Sequence, residues 1–127
     1  MKAKEAGVAD AAVEMGGALP EAVLNVARAS ADMVDSEGRF PAETFAALRE
    51  HKALGLLVPT AMGGPGGDLK QAAVQVQSLG AACGSSGMIL AMHHIQVACL
   101  VRHSAANGWH ADFLRRVQDE QLLLASV

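Results

Sequence analysis

The sequence predicts an all-α fold, and three observations predict it. Five segments carry apolar residues at helical spacing, against a single short run that reads as a strand. Two of those helical patterns lie back to back between Leu69 and Ser104, and the second is apolar on nearly every side, as a core helix is. Hydrophobic residues make up 51% of the 127-residue chain and charged residues only 18%. That surplus implies one domain with a real core and some apolar surface left over for another domain or subunit.

Met1 to Leu19 is rich in Ala and Gly, and Gly16-Gly17 breaks any earlier helix, so residues 1–19 are expected to be a flexible lead-in. The packed domain is expected over 20–121. Pro20 fits the first position of a helix whose stripe is Val23, Val26, Ala27, Ala31 and Val34, with Glu21 at the positive end of its dipole. Asp35-Ser36-Glu37-Gly38 ends it. A second helix opens at Pro41, turns Phe45 and Leu48 inward and runs to about Lys52, with Phe40 packed under its start.

Gly55-Leu56-Leu57-Val58-Pro59 is too short for a helix, and the residue before Pro59 is extended, so it reads as a buried connector. Met62-Gly63-Gly64-Pro65-Gly66-Gly67-Asp68 follows. It lacks the G-K-[ST] of a P-loop, and Leu69 stands where a third dinucleotide-binding glycine belongs, so it reads as a tight turn rather than a phosphate cradle.

Asp68 and Gln71 form an Asp version of the capping box at the start of the third helix. Leu69, Ala72, Ala73, Val76, Leu79 and Cys83 make its inner face, with Lys70, Gln71, Gln75 and Ser78 on the wet side. At Gly84-Ser85-Ser86-Gly87, Gly84 suits a left-handed exit and either serine can cap the next helix. That helix, Met88 to His103, carries His93, His94 and Gln96 at its middle. They interrupt a run that would need about 20 apolar residues to cross a membrane, so no span is expected. Polar groups at the centre of a core helix must find partners or line a wet cavity, which points to a site.

Asn107 can cap a fifth helix through Trp109, Phe113, Leu114 and Val117, an amphipathic cover. Leu122-Leu123-Leu124-Ala125-Ser126-Val127 then reads as a buried strand without partners, the start of a sheet this chain does not contain.

The net charge of −3 and the absence of a basic cluster exclude a nucleic-acid surface. Cys83 and Cys99 lack any C-x-x-C spacing and read as buried free thiols of a reducing compartment; with no signal-peptide h-region, the expected location is cytoplasmic. No metal site is expected, because His93 and His94 have no ligating residue one helical turn away. Cys99 and His103 sit at i, i+4 but lack the third group a nucleophile needs. His51, His103 and His110 read as surface or helix-end residues.

Together, the helix beginning Phe40-Pro41, the connector Leu54-Gly55-Leu56-Leu57-Val58-Pro59, the glycine turn from Met62 to Gly67 and the paired core helices resemble the N-terminal helical domain of the acyl-CoA dehydrogenase family. Three positions depart from that pattern. Lys52 stands where the family ends a helix with glycine, Met62 replaces a common aromatic, and Ala105 replaces a glycine. The resemblance implies an N-terminal helical bundle, followed by a β-domain that begins at residues 122–127 and by a C-terminal helical bundle, with FAD between them. It implies that the core helix lines the acyl pocket through Met92, His93 and Gln96, and that Ser126 opens the first FAD-contacting segment. The catalytic glutamate of the family belongs to the C-terminal domain, so no catalytic residue is expected here, and the fragment alone is expected to be inactive. The full-length enzyme would act on an acyl-CoA as a homotetramer or homodimer. Flavin-dependent monooxygenases share this fold, and there His93 would approach the flavin. A stand-alone helical interaction module is the third reading, against which the orphan terminal run speaks.

Overall fold

The computed structural model describes residues 16–105 and 108–125. Five α-helices form the domain: α1 (Glu21–Glu37), α2 (Ala42–Glu50), α3 (Leu69–Ala82), α4 (Gly84–His103) and α5 (Trp109–Glu120). Short 3-10 turns lie at Ala53–Gly55 and Thr60–Met62. No strand occurs among the described residues, so the all-α expectation holds. Asn107, expected as a cap, and Ser126, expected to open an FAD-contacting segment, lie outside the described residues, as do residues 1–15.

The packed unit reaches further back than residue 20. Leu19 is buried in the core, and a Cβ on Gly17 would stand 2.2 Å from the Gln71 carbonyl oxygen, so residues 17–19 are pinned against α3 and are no flexible lead-in. Pro20 has an extended ψ of 141° and therefore precedes α1 instead of opening it. Gly38 closes α1 at φ 60°, with its N–H and that of Arg39 donating to the Asp35 and Val34 carbonyls, the left-handed exit glycine takes without strain.

Helix α2 buries Thr44, Phe45 and Leu48, and the Phe40 ring lies 5.3 Å from that of Phe45 while staying largely exposed. After it, Lys52 adopts φ 54°. This is the left-handed conformation that glycine takes freely, and carrying a Cβ there costs about 1 kcal/mol.

The glycine turn folds back on the connector. Gly66 N–H donates to Val58 O (2.9 Å) and Gly67 N–H to Leu56 O (2.8 Å), so these amides are spent inside the domain. A Cβ on Gly64 would meet the Val58 carbonyl oxygen at 2.1 Å, which explains a glycine there.

The capping box forms as expected: Asp68 N–H donates to Gln71 Oε1 and Gln71 N–H to Asp68 Oδ1, both at 2.8 Å. The α3–α4 junction does not. One residue, buried Cys83 at φ −154°, joins the helices, Gly84 is already helical, and no side chain caps α4. The reason is close packing of the antiparallel pair: a Cβ on Gly87 would lie 2.5 Å from Gly80 Cα, leaving no room for a longer turn. The inner face of α3 also differs from expectation. Leu69 and Ala73 are exposed and Val76 is half-buried, while Gln75 is buried because a partner on α4 satisfies it.

The core has two parts. One gathers Val23, Ala27, Phe45, Leu48, Leu54, Leu79 and Leu90. The other gathers Leu56, Val58, Ala72, Val97, Leu114 and Val117. Helix α4 spans both, through Leu90 and Val97, and α5 covers the second, its Trp109 ring stacked on Phe113 at 5.1 Å. Residues 122–125 are not a strand. With no neighbouring strand to complete a ladder, Leu122 and Leu124 pack on the second cluster and Leu123 on the first.

Candidate functional site

Helix α4 is the element from which a site can be built, because its two sides differ. The inner side carries Leu90, His93, His94 and Val97, all buried. The outer side carries Met88 (65% exposed), Met92 (38%), Ile95 (53%) and Cys99. Those outer positions recur at four, three and four residues, one stripe along a helix, and the stripe is apolar. Cys99 is therefore not the buried thiol expected; sequence hydrophobicity alone does not say which side of an all-apolar helix meets solvent.

The three expected pocket residues do not share one environment. Met92 is on the exposed stripe, Gln96 is half-buried beside it, and His93 is fully buried. His93 Nε2–H donates to Leu54 O at 2.7 Å, and His93 Nδ1 accepts from Leu124 N–H at 3.1 Å. A carbonyl can only accept and an amide N–H can only donate, so the ring is the neutral Nε2–H tautomer with both nitrogens committed. Burial pushes its pKa down; the Leu54 carbonyl opposes this and the Arg49 charge adds to it.

His94 Nε2–H donates to Gln75 Oε1 at 2.8 Å across the α3–α4 contact. Burial, with a smaller contribution from His93, takes its pKa down to about 3. His94 Nδ1 and Gln75 Nε2 have no hydrogen-bond partner among the described residues. The pair holds two helices together and faces no open surface.

A further cluster surrounds Leu54, and sequence reasoning missed it. Leu54 N–H donates to Gln121 Oε1 (3.0 Å), Gln121 Nε2 donates to Gln118 O (2.7 Å), and Arg49 Nε donates to Gln121 O (3.2 Å). Gln121 sits at φ 51° past the end of α5. Only its position just after an amphipathic helix marked it in the sequence.

An apolar groove of about 550 Å³ opens between Leu57, Gly67, Asp68 and Leu69 on one side and Ala98, Val101 and Arg102 on the other. None of Met92, His93 and Gln96 lines it. No group of three or more His, Cys, Asp or Glu able to hold a metal occurs among the described residues. Helix α4 is long and apolar enough to cross a membrane by length and composition, with a third of its apolar window buried inside the domain.

Comparison with known proteins adds a family. Residues 18–120 match the acyl-CoA dehydrogenase N-terminal domain model. Over 58 residues the chain is 41% identical to the probable acyl-CoA dehydrogenase YngJ of Bacillus subtilis (strain 168), an alignment covering 46% of this chain and 15% of that relative. The match thus spans a small part of the relative's length. No solved structure matches the chain.

Proposed function

The chain belongs to the acyl-CoA dehydrogenase family, and from that premise we propose that it supplies one wall of the acyl pocket of an FAD-dependent enzyme that desaturates an acyl-CoA thioester. The observation that carries this reading is the exposed apolar stripe of Met88, Met92 and Ile95 on α4, with Gln96 at its edge. Such a stripe is suited to an acyl chain: methionines are unbranched and adapt to irregular apolar partners, and no charge interrupts the face.

The described residues suit one wall of a flavin enzyme and offer no cradle for its phosphates, since the Gly66 and Gly67 amides are already paired. FAD, when bound, supplies the acceptor for a hydride from the substrate β-carbon. What this chain contributes is exclusion of water along the stripe and a limit on acyl length. Removal of the α-proton falls to a base in another domain. His93 spends both ring nitrogens inside the fold, which weighs against the monooxygenase reading, in which it would approach the flavin.

The test is anaerobic bleaching of the flavin by a panel of acyl-CoA thioesters in the full-length protein, wild type and Met92→Ala. Wild type is expected to be reduced by part of the panel, and the variant to shift its preference toward longer or bulkier acyl groups by about tenfold, as removal of a few methylenes' worth of pocket wall allows. Wild-type flavin that no acyl-CoA reduces, in a protein that instead oxygenates a substrate from reduced flavin, would sink the proposal.

A further inference from the structure

We infer that His93 is a positioning residue that fixes where the chain leaves the helical domain, by bridging the Leu54 carbonyl to the Leu124 amide. This rests on the reading above of a flavin enzyme and on the expectation that Ser126 opens its first FAD-contacting segment. The bridge joins three places far apart in sequence: the 3-10 turn at Ala53–Gly55, the middle of α4, and the segment after α5.

The geometry assigns each nitrogen a separate task. His93 Nε2–H holds the Leu54 turn, whose N–H is itself held by Gln121 at the end of α5. Leu54 is thereby tied on both of its backbone groups, and the end of α5 is locked to the same turn. His93 Nδ1 then takes up the Leu124 N–H, three residues beyond Gln121. Leu122 N–H at the start of the departing segment donates to Val117 O (3.3 Å), and the Leu124 amide, with no ladder to join, would otherwise have to be satisfied in water. Here that amide is held by one buried imidazole, beside the packing of Leu122, Leu123 and Leu124 on the core.

The charged or titratable neighbours are few. His94 lies with its ring 5.5 Å from that of His93, and Arg49 disfavours a charge on the ring. Burial first and the Arg49 charge second keep the ring neutral, the form in which Nδ1 can accept.

Two conservative variants separate the tasks. In His93→Asn the side-chain oxygen can occupy the Nδ1 position and accept from Leu124, but nothing reaches Leu54. In His93→Gln the amide can reach Leu54 from the Nε2 position, but the acceptor for Leu124 is lost. The experiment measures amide exchange at Leu124 in this chain, and the visible flavin spectrum of the FAD-loaded full-length protein, for wild type and both variants. Wild type is expected to protect the Leu124 amide at least tenfold over its random-coil rate. Gln is expected to lose that protection and shift the flavin bands, while Asn keeps both near wild type although its melting temperature falls.

A wild-type Leu124 amide that exchanges at its random-coil rate would overturn the inference without any variant having to fold. So would flavin bands that shift equally in Asn and Gln, or in neither. If wild-type full-length protein binds no flavin, the dehydrogenase reading fails and this role falls with it, an outcome distinct from a loaded enzyme whose spectrum ignores the variants.

Discussion

The inner and outer faces of α4 are built from the same kinds of residue and behave oppositely. Inside, Leu90 and Val97 fill two core clusters, and the two histidines between them find partners on α3, on the 3-10 turn and on residue 124. Outside, Met88, Met92 and Ile95 keep much of their apolar surface uncovered by the described domain. The inner face pairs both nitrogens of His93 and one of His94, and the outer face leaves apolar area uncovered. Stability of this domain therefore resides on one side of the helix and its proposed function on the other.

Substitutions can break that contrast. The largest effect is expected at Leu90, which is fully buried: Leu90→Ala should cost about 2–5 kcal/mol in urea unfolding, from lost burial plus the cavity left behind. A loss below 1 kcal/mol would mean that the inner face is not the core.

Acid comes next. His94 is neutral in the fold down to about pH 3, whereas an unfolded histidine takes up its proton near 6.5, so between those values the unfolded state binds more protons. Stability is complete above the unfolded value and falls as pH is lowered through this window. Between pH 7 and 4.5 the loss from His94 should be about 2–3 kcal/mol, with His93 acting in the same direction. His94→Gln should flatten that slope, and a slope left unchanged would remove the histidine from the account.

The smallest effect is expected outside. Met92→Gln should change the stability of this chain by no more than about 1 kcal/mol, because the partly exposed side chain gives up only a fraction of a core residue's burial. A loss above 2 kcal/mol would show that the stripe is already covered, and the contrast between the faces would vanish.

Much of the helical framework could be read without coordinates because it depends on local rules. The Asp68–Gln71 box, the Gly38 exit and the Phe45–Leu48 pair follow from spacing and caps within a few residues. The misreadings share a different origin. Gln75 looked like a wet residue until His94, nineteen positions later, claimed it, and Gly84 looked like a left-handed exit until the Gly80–Gly87 approach compressed the hinge to Cys83.

The candidate site divides the same way. That polar residues at the middle of an apolar helix must be satisfied or functional followed from the cost of burying them unpaired, and so His93 and His94 could be singled out at once. What became of them depended on contacts 39 and 31 residues away from His93, at Leu54 and Leu124, which no helical period encodes.

By itself, then, the sequence determined five helices, most of their ends and the presence of a buried polar pair, since propensity, capping and amphipathic spacing act over one or two turns. Only the tertiary structure decided which side of α4 faces out, which histidine nitrogen holds which carbonyl or amide, and that residues 122–125 pack as an anchored tail instead of a strand. Those outcomes are set by which surfaces and backbone groups reach each other once the helices dock, and a ladder or a partner that is absent leaves no mark in the residues that would have used it.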